Sequence, residues 1–248
     1  NNKTATKLDR TIDFSRQITR SKQGQKMDEV PKQVVMVSCE DDMCDMPMGM
    51  KDPTEGAKVS SGNTSIAQIQ GIKLRGPFPS TNEIFSEILW AQRPVVIMIV
   101  RRMGCALCRQ SFQKLHQLKQ EFEKIGVNLV CISNQDIYAE DFIKEVWSGL
   151  PIYIDSNDSF REAMGAPVYK GLWFCKPPVA KRLLCMACCG TGPKAGGLKD
   201  KNEKTDRVGG DLVVANHGVI FERNEDSKFT HTDPNVLLSY ARKARGFD

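Results

Sequence analysis

Cys105 and Cys108 lie in the run Arg101-Arg102-Met103-Gly104-Cys105-Ala106-Leu107-Cys108-Arg109. Of all the residues in the chain, their type and spacing suit chemistry best. A CxxC pair brings two sulfurs within bonding range when the second cysteine lies one helical turn beyond the first. The thiolate, not the thiol, is the nucleophile, so such a pair is fast only where something lowers a thiol's pKa. Arg101, Arg102 and Arg109 supply nearby positive charge. A helix opening at the pair would add unsatisfied N–H groups and the positive end of its dipole. The competing reading is two structural cysteines at a helix start.

The flanking sequence provides that setting. Pro94 opens a run of apolar, mostly β-branched residues from Val95 to Val100, which reads as a buried strand. Beyond the pair, Leu107, Phe112, Leu115, Leu118 and Phe122 recur at helical spacing, and Gly126 suits a helix stop. The CxxC therefore sits where a central strand gives way to an amphipathic helix, a pattern typical of thiol redox sites. Around it the sequence predicts a first strand near 69–74 and a helix over 84–90 with Ser80 as cap. A second buried strand follows at 127–133, with Cys131 as a small core residue. Further on come a helix over 138–147, a short strand at 151–155 and a helical turn or two over 158–164. A hairpin at 210–222 turns on Asn216-His217-Gly218, and a closing helix runs over 234–245 with Asp233 as cap. Alternating strands and helices imply parallel pairing and a mixed sheet with helices on both faces.

The motif Arg101–Arg109 resembles the active-site turn of the peroxiredoxin-like 2 family. This thioredoxin-fold group includes prostamide/prostaglandin F synthase-like proteins and is related to the alkyl hydroperoxide reductase and thiol-specific antioxidant proteins. Residues 209–234, GGDLVVANHGVIFERNEDSKFTHTDP, are similar to that family's closing hairpin and polar loop. The resemblance covers roughly 66–248, with a poorly matching insert at about 166–207. It implies an α/β fold: a thioredoxin-like mixed central sheet flanked by helices, here with an extended N-terminal arm over 1–63 and the domain over 64–248.

The resemblance also implies a thiol-dependent oxidoreductase that reduces peroxide-type substrates, hydroperoxides or a prostaglandin endoperoxide. Cys105 is the expected nucleophile and Cys108 the resolving thiol, with Arg102 and Arg109 polarising the peroxide or stabilising the thiolate. No bound cofactor is expected; the reductant is an external dithiol, a thioredoxin-like protein or an NADPH-linked system. Two departures bear on these roles. Peroxiredoxins proper carry Thr three residues before the attacking Cys. Arg102 holds that place relative to Cys105, and Cys105 holds it relative to Cys108, so the two thiols' roles can swap. Thioredoxins place a cis-Pro opposite the site, where this chain has Gly209-Gly210-Asp211. The alternative function is a non-catalytic or redox-regulated subunit of a large assembly, anchored by the arm.

Charge and composition narrow the classes further. The net charge of +5 is carried entirely by residues 1–26, where Lys3, Lys7, Arg10, Arg16, Arg20, Lys22 and Lys26 face only Asp9 and Asp13. A basic arm on a neutral body argues against a nucleic-acid-binding domain and for a protein partner held by residues 1–63. Leu8, Ile12, Phe14 and Ile18 are its expected anchors. No window approaches the length of apolar sequence needed to span a membrane. Nine cysteines without a regular framework indicate a reducing compartment, either cytoplasm or an organellar matrix or stroma. The start at Asn1 rather than Met is expected either after removal of a transit peptide or where the true beginning precedes this sequence. Cys39 and Cys44 lie among acidic residues and read as surface thiols, with a soft-metal site as the weaker reading. Cys175, Cys185, Cys188 and Cys189 accompany a short amphipathic helix at 177–188, with a redox relay or a metal as weaker readings. His116, His217 and His231 show no metal or nucleophile–base spacing and receive no role.

Overall fold

The computed structural model describes residues 64–168, 207–225 and 231–247. The expectations for the arm 1–63, for Cys39 and Cys44, and for the segment holding Cys175, Cys185, Cys188 and Cys189 lie outside the described residues.

Seven strands form one sheet in the order β2-β1-β5-β4-β3-β6-β7. They are β1 Lys73–Arg75, β2 Glu83–Phe85, β3 Val95–Ile99, β4 Asn128–Ser133, β5 Ile152–Ile154, β6 Gly210–Ala215 and β7 Gly218–Asn224. β3, β4 and β5 run parallel, while β6 lies antiparallel to β3 and closes a hairpin with β7. The helices are α1 Ile66–Ile69, α2 Ala106–Gln117, α3 Lys119–Lys124, α4 Ala139–Glu145, α5 Ser159–Ala163 and α6 Pro234–Ala244, with a 3-10 turn at Ser86–Leu89. This is the thioredoxin-like mixed sheet that the resemblance implied.

Both faces of the sheet are covered, which is why β3 reads as a continuous apolar run rather than an alternation. The side chains nonetheless obey the two-residue period. Val96, Met98 and Val100 pack with Phe112, Leu115, Phe122, Phe142 and Trp147 on one face. Val95, Ile97 and Ile99 pack with Trp90, Phe160, Met164 and Leu212 on the other. Phe112 of α2 meets Phe142 and Trp147 edge-on, with centroids 5.1 and 4.9 Å apart, the arrangement favoured by the ring quadrupoles. Cys131 is fully buried within β4, as expected of a small core residue.

Several elements differ from the sequence expectation. The segment predicted as helix over 84–90 is a strand followed by a 3-10 turn. Its backbone is claimed by β1, with Leu74 opposite Ile84; Ser86 N–H donates to Ile72 O at 2.9 Å. The first strand begins at Lys73, because Ile66–Ile69 form α1, which Ser65 and Gln68 close with a capping box. The helix after CxxC is two helices. Leu118 N–H donates to Leu115 O at 3.0 Å, a 3-10 step that separates α2 from α3. Gly126 does end the run. Its φ is +68°, and Val127 N–H reaches back to Phe122 O at 3.0 Å, the bond of a left-handed C-cap. The closing helix starts as expected, with Asn235 N–H donating to the Asp233 carboxylate at 2.7 Å.

Candidate functional site

The turn that carries the CxxC leaves the sheet at the end of β3. Val100 N–H donates to Ile132 O at 2.9 Å, which keeps the chain in the ladder up to that residue. The Val100 carbonyl accepts from the buried Arg161 guanidinium at 2.5 Å, and Arg161 also pairs with Asp158 at 2.5 Å. The turn 101–104 then delivers Cys105 to the N-cap of α2, where its carbonyl accepts from Arg109 N–H at 2.9 Å. Cys105 is half-buried and Cys108, on the first turn, has no exposed surface. Both are free thiols.

The three arginines of the motif separate by role. Arg101 is 5% exposed and hydrogen-bonds the Cys105 sulfur. Arg109 is 1% exposed, and its guanidinium donates to Met103 O at 2.7 Å and to Glu145 of α4 at 2.6 Å. Its charge is therefore committed to holding the turn against α4. Arg102 is half-buried beside them.

The two sulfurs are inequivalent. The Cys108 thiol donates to Cys105; burial opposes ionisation there, but Arg101 and the Cys108 amide favour it, and the Cys105 thiol is held well below its ordinary range. Cys108 is driven the other way by that same bond, by burial and by the negative charges of Cys105 and Glu225. Of the two, Cys105 therefore ionises first and Cys108 keeps its proton to higher pH. Burial alone pushes the Cys131 thiol far above its usual range, so it is chemically silent.

Behind Cys105 lies a group of charges that sequence spacing does not reveal. Glu225 follows β7 and is 4% exposed. Its carboxylate meets His231 Nδ1 at 2.9 Å and accepts from Gly209 N–H at 3.4 Å, while its own N–H donates to Gly209 O at 2.9 Å. Burial disfavours the imidazolium, but the charge and hydrogen bond of Glu225, then Asp211 and the Cys105 thiolate, outweigh it, so His231 keeps its proton above the ordinary range. Glu225 is held below its range, because His231 and Arg101 outweigh burial. Asp211 of β6, opposite Met98 and Arg223 in the ladder, is pushed up to about 6 by burial, against the influence of the neighbouring Thr232 hydroxyl and the His231 charge. Gly209 is obligatory here: a Cβ would lie 2.4 Å from Ile99 O and 2.6 Å from Glu225 Oε1. In the sequence, the Gly209-Gly210 pair at the start of a strand is the one hint that two backbones approach closely at this point. Nothing in the spacing of Glu225 and His231 joins them to residue 105.

The described residues contain no group of three His, Cys, Asp or Glu arranged to hold a metal ion. No helix among them is long and apolar enough to cross a membrane.

Comparison with known proteins agrees with the resemblance. Residues 114–227 match the family of AhpC/TSA antioxidant enzymes, a match that begins just beyond the CxxC. Prostamide/prostaglandin F synthase of Sus scrofa is 28% identical over 64% of this chain and 70% of its own length. Peroxiredoxin-like 2A of Bos taurus is 33% identical over 30% of this chain and 34% of its own length. Among solved structures, peroxiredoxin Q of Xanthomonas campestris aligns at 12% identity with a TM-score of 0.49, covering 72% of this chain and 94% of that one. The chain is thus similar to AhpC/TSA-type antioxidant proteins, and in particular to proteins of the peroxiredoxin-like 2 kind.

Proposed function

We propose that this chain is a thiol-dependent oxidoreductase that reduces peroxide-type substrates through Cys105 and Cys108. The observation that carries the reading is the asymmetry of the pair: a half-buried Cys105 at a helix N-cap against Arg101, beside a fully buried Cys108 that keeps its proton to higher pH. The similarity to antioxidant enzymes supports thiol-dependent redox chemistry in general, and the CxxC assignment and the peroxide substrate extend it.

In this reading the Cys105 thiolate attacks the terminal oxygen of a hydroperoxide. The S–O bond forms, the O–O bond breaks, and the departing oxygen leaves as an alcohol after taking a proton. Cys108 then condenses with the sulfenic acid, releasing water and forming the disulfide, which an external dithiol reduces. Arg101 stabilises the thiolate before attack, and Arg102 is the candidate to polarise the peroxide. Arg109 acts at one remove by fixing the turn. The reductant is a thioredoxin-like protein, and the compartment is a reducing one, cytoplasmic or organellar. The alternative, an assembly subunit anchored by residues 1–63, rests on a segment outside the described residues.

The test is consumption of a stoichiometric hydroperoxide by the reduced full chain and two variants. Cys105→Ser abolishes consumption. Cys108→Ser consumes one equivalent and leaves a sulfenic acid on Cys105 that a dimedone probe captures. Consumption that survives Cys105→Ser overturns the assignment.

A further inference from the structure

Three buried charges meet the half-buried Cys105 at the site: Arg101 and His231 as cations, and Glu225, with the Cys105 thiolate, as anions. Their charges cancel. Oxidation of Cys105 removes one anion, because a sulfenic acid or a disulfide is neutral where the thiolate was charged. A surplus positive charge would then remain on groups shielded from water, which is costly in a low-dielectric interior. Arg101 cannot shed a proton. The group that can is His231. Its side chain is 8% exposed, it is bonded to Glu225 through Nδ1, and its Nε2 is buried with no hydrogen-bond partner among the described residues. A buried ring nitrogen without an acceptor gains least from staying protonated once the thiolate charge is gone.

We propose that His231, held against Glu225 behind the redox turn, carries the second proton of the Cys105–Cys108 cycle, releasing it as Cys105 is oxidised and regaining it on reduction. The inference rests on the proposed redox role of the pair and specifies where its protons reside. In the first step the thiolate, the hydroperoxide and the imidazolium become a sulfenic acid, an alcohol and neutral imidazole; the His231 proton balances the departing oxygen, directly or through water. Condensation with Cys108 releases water with no further proton. Reduction by a dithiol returns two electrons and two protons to the site, one to the Cys108 thiol and one to His231, with Cys105 restored as a thiolate. The buried set is neutral before and after each half of the cycle. His231 here is a positioning residue for charge and proton, and contact with substrate is not required of it.

The other titratable and charged groups facing this position are Asp211 from β6, with Arg223 of β7 beside it, Arg101 at the end of β3, and Cys105 and Cys108 at the start of α2. Asp211 is the rival, since ionising a protonated Asp211 would also restore neutrality. The experiment therefore separates the two. The reduction potential of the full chain is measured against dithiol redox buffers from pH 5.5 to 8.5, with no peroxide present. Referred to the half-reaction, with the buffer dithiol's own two-proton dependence accounted for, two protons per two electrons make the equilibrium constant for reduction change a hundredfold per pH unit, and one proton makes it tenfold. The hundredfold dependence is expected for the wild type and for Asp211→Asn; the tenfold dependence is expected for His231→Gln. A tenfold dependence in the wild type, or a loss of the second proton in Asp211→Asn but not in His231→Gln, overturns the proposal. If no Cys105–Cys108 disulfide forms in any buffer, the underlying redox reading fails instead, and the proposal with it. Should His231→Gln not fold, the His231 ring is titrated by NMR in the reduced and oxidised wild type. A ring that stays protonated to higher pH in the reduced form supports the proposal, and identical titrations overturn it.

Discussion

Replacing Gly209 by Ala tests how tightly the fold is tied to the site. The added Cβ would stand 2.4 Å from Ile99 O and 2.6 Å from Glu225 Oε1. A carbon–oxygen contact of this kind settles near about 3.3 Å, so the first clash asks for a displacement of about 0.9 Å. That oxygen belongs to β3, whose Ile99 is paired with Gly210 in the ladder, and it cannot rotate away. Overpacking costs about 1–3 kcal/mol, and the rigid partner places this substitution at about 3 kcal/mol. For a domain of this size that lowers Tm by roughly 6–12 °C. The Glu225 carboxylate is the softer neighbour and swings aside, loosening its bonds to Gly209 and its ion pair with His231. Thermal and urea unfolding of the full chain measures the first effect, and Cys105 alkylation under native conditions measures the second. A variant within about 0.5 kcal/mol of the wild type would refute the packing argument.

Three further outcomes follow from the same contacts. Arg101→Met removes the cation that bonds the Cys105 sulfur, so the pH profile of Cys105 alkylation moves to higher pH; an unmoved profile would show that Arg101 does not stabilise the thiolate. Asp211 has its folded pKa raised from 3.8 to about 6, so its contribution favours folding below about pH 4 and is lost as pH rises through 6. Asp211→Asn therefore gains stability relative to the wild type across that window, by about 3 kcal/mol at most, and a pH-independent difference in urea unfolding would contradict this. Cys131 is fully buried in β4, and its labelling should track global unfolding as urea is raised; labelling in native buffer would contradict its place in the core.

The parts of the fold that were readable from the sequence are those where a local rule and the tertiary structure ask for the same thing. Val95–Ile99 is apolar throughout because both faces of β3 are covered. The break to helix at Cys105, the left-handed Gly126 and the Asp233 cap each follow from one or two residues. Residues 83–89 were not readable. Their apolar spacing and the Ser80–Glu83 pattern suit a helix, but pairing with β1 and the bond from Ser86 Oγ to Ile69 O at 2.6 Å override that preference. At the site the sequence yielded the thiols and the surrounding positive charge, but not which arginine meets the sulfur. That depends on the direction in which the turn 101–104 leaves the strand. Arg101 stays against the site and Arg109 points to Glu145. The Glu225–His231 pair has no local signature, because only the β6–β7 hairpin, more than a hundred residues from Cys105, carries it there.

The account turns on Cys105 being the low-pKa thiol of a reversible pair. The most direct test is pH-resolved alkylation of the reduced full chain at limiting reagent, with all nine cysteines quantified by mass spectrometry. It is followed by disulfide mapping after one equivalent of hydroperoxide. The account predicts that Cys105 labels fastest below pH 7, that Cys108 labels slowly, and that a Cys105–Cys108 bridge replaces both signals after oxidation. Faster labelling of Cys108, or oxidation that leaves both thiols free, would contradict it.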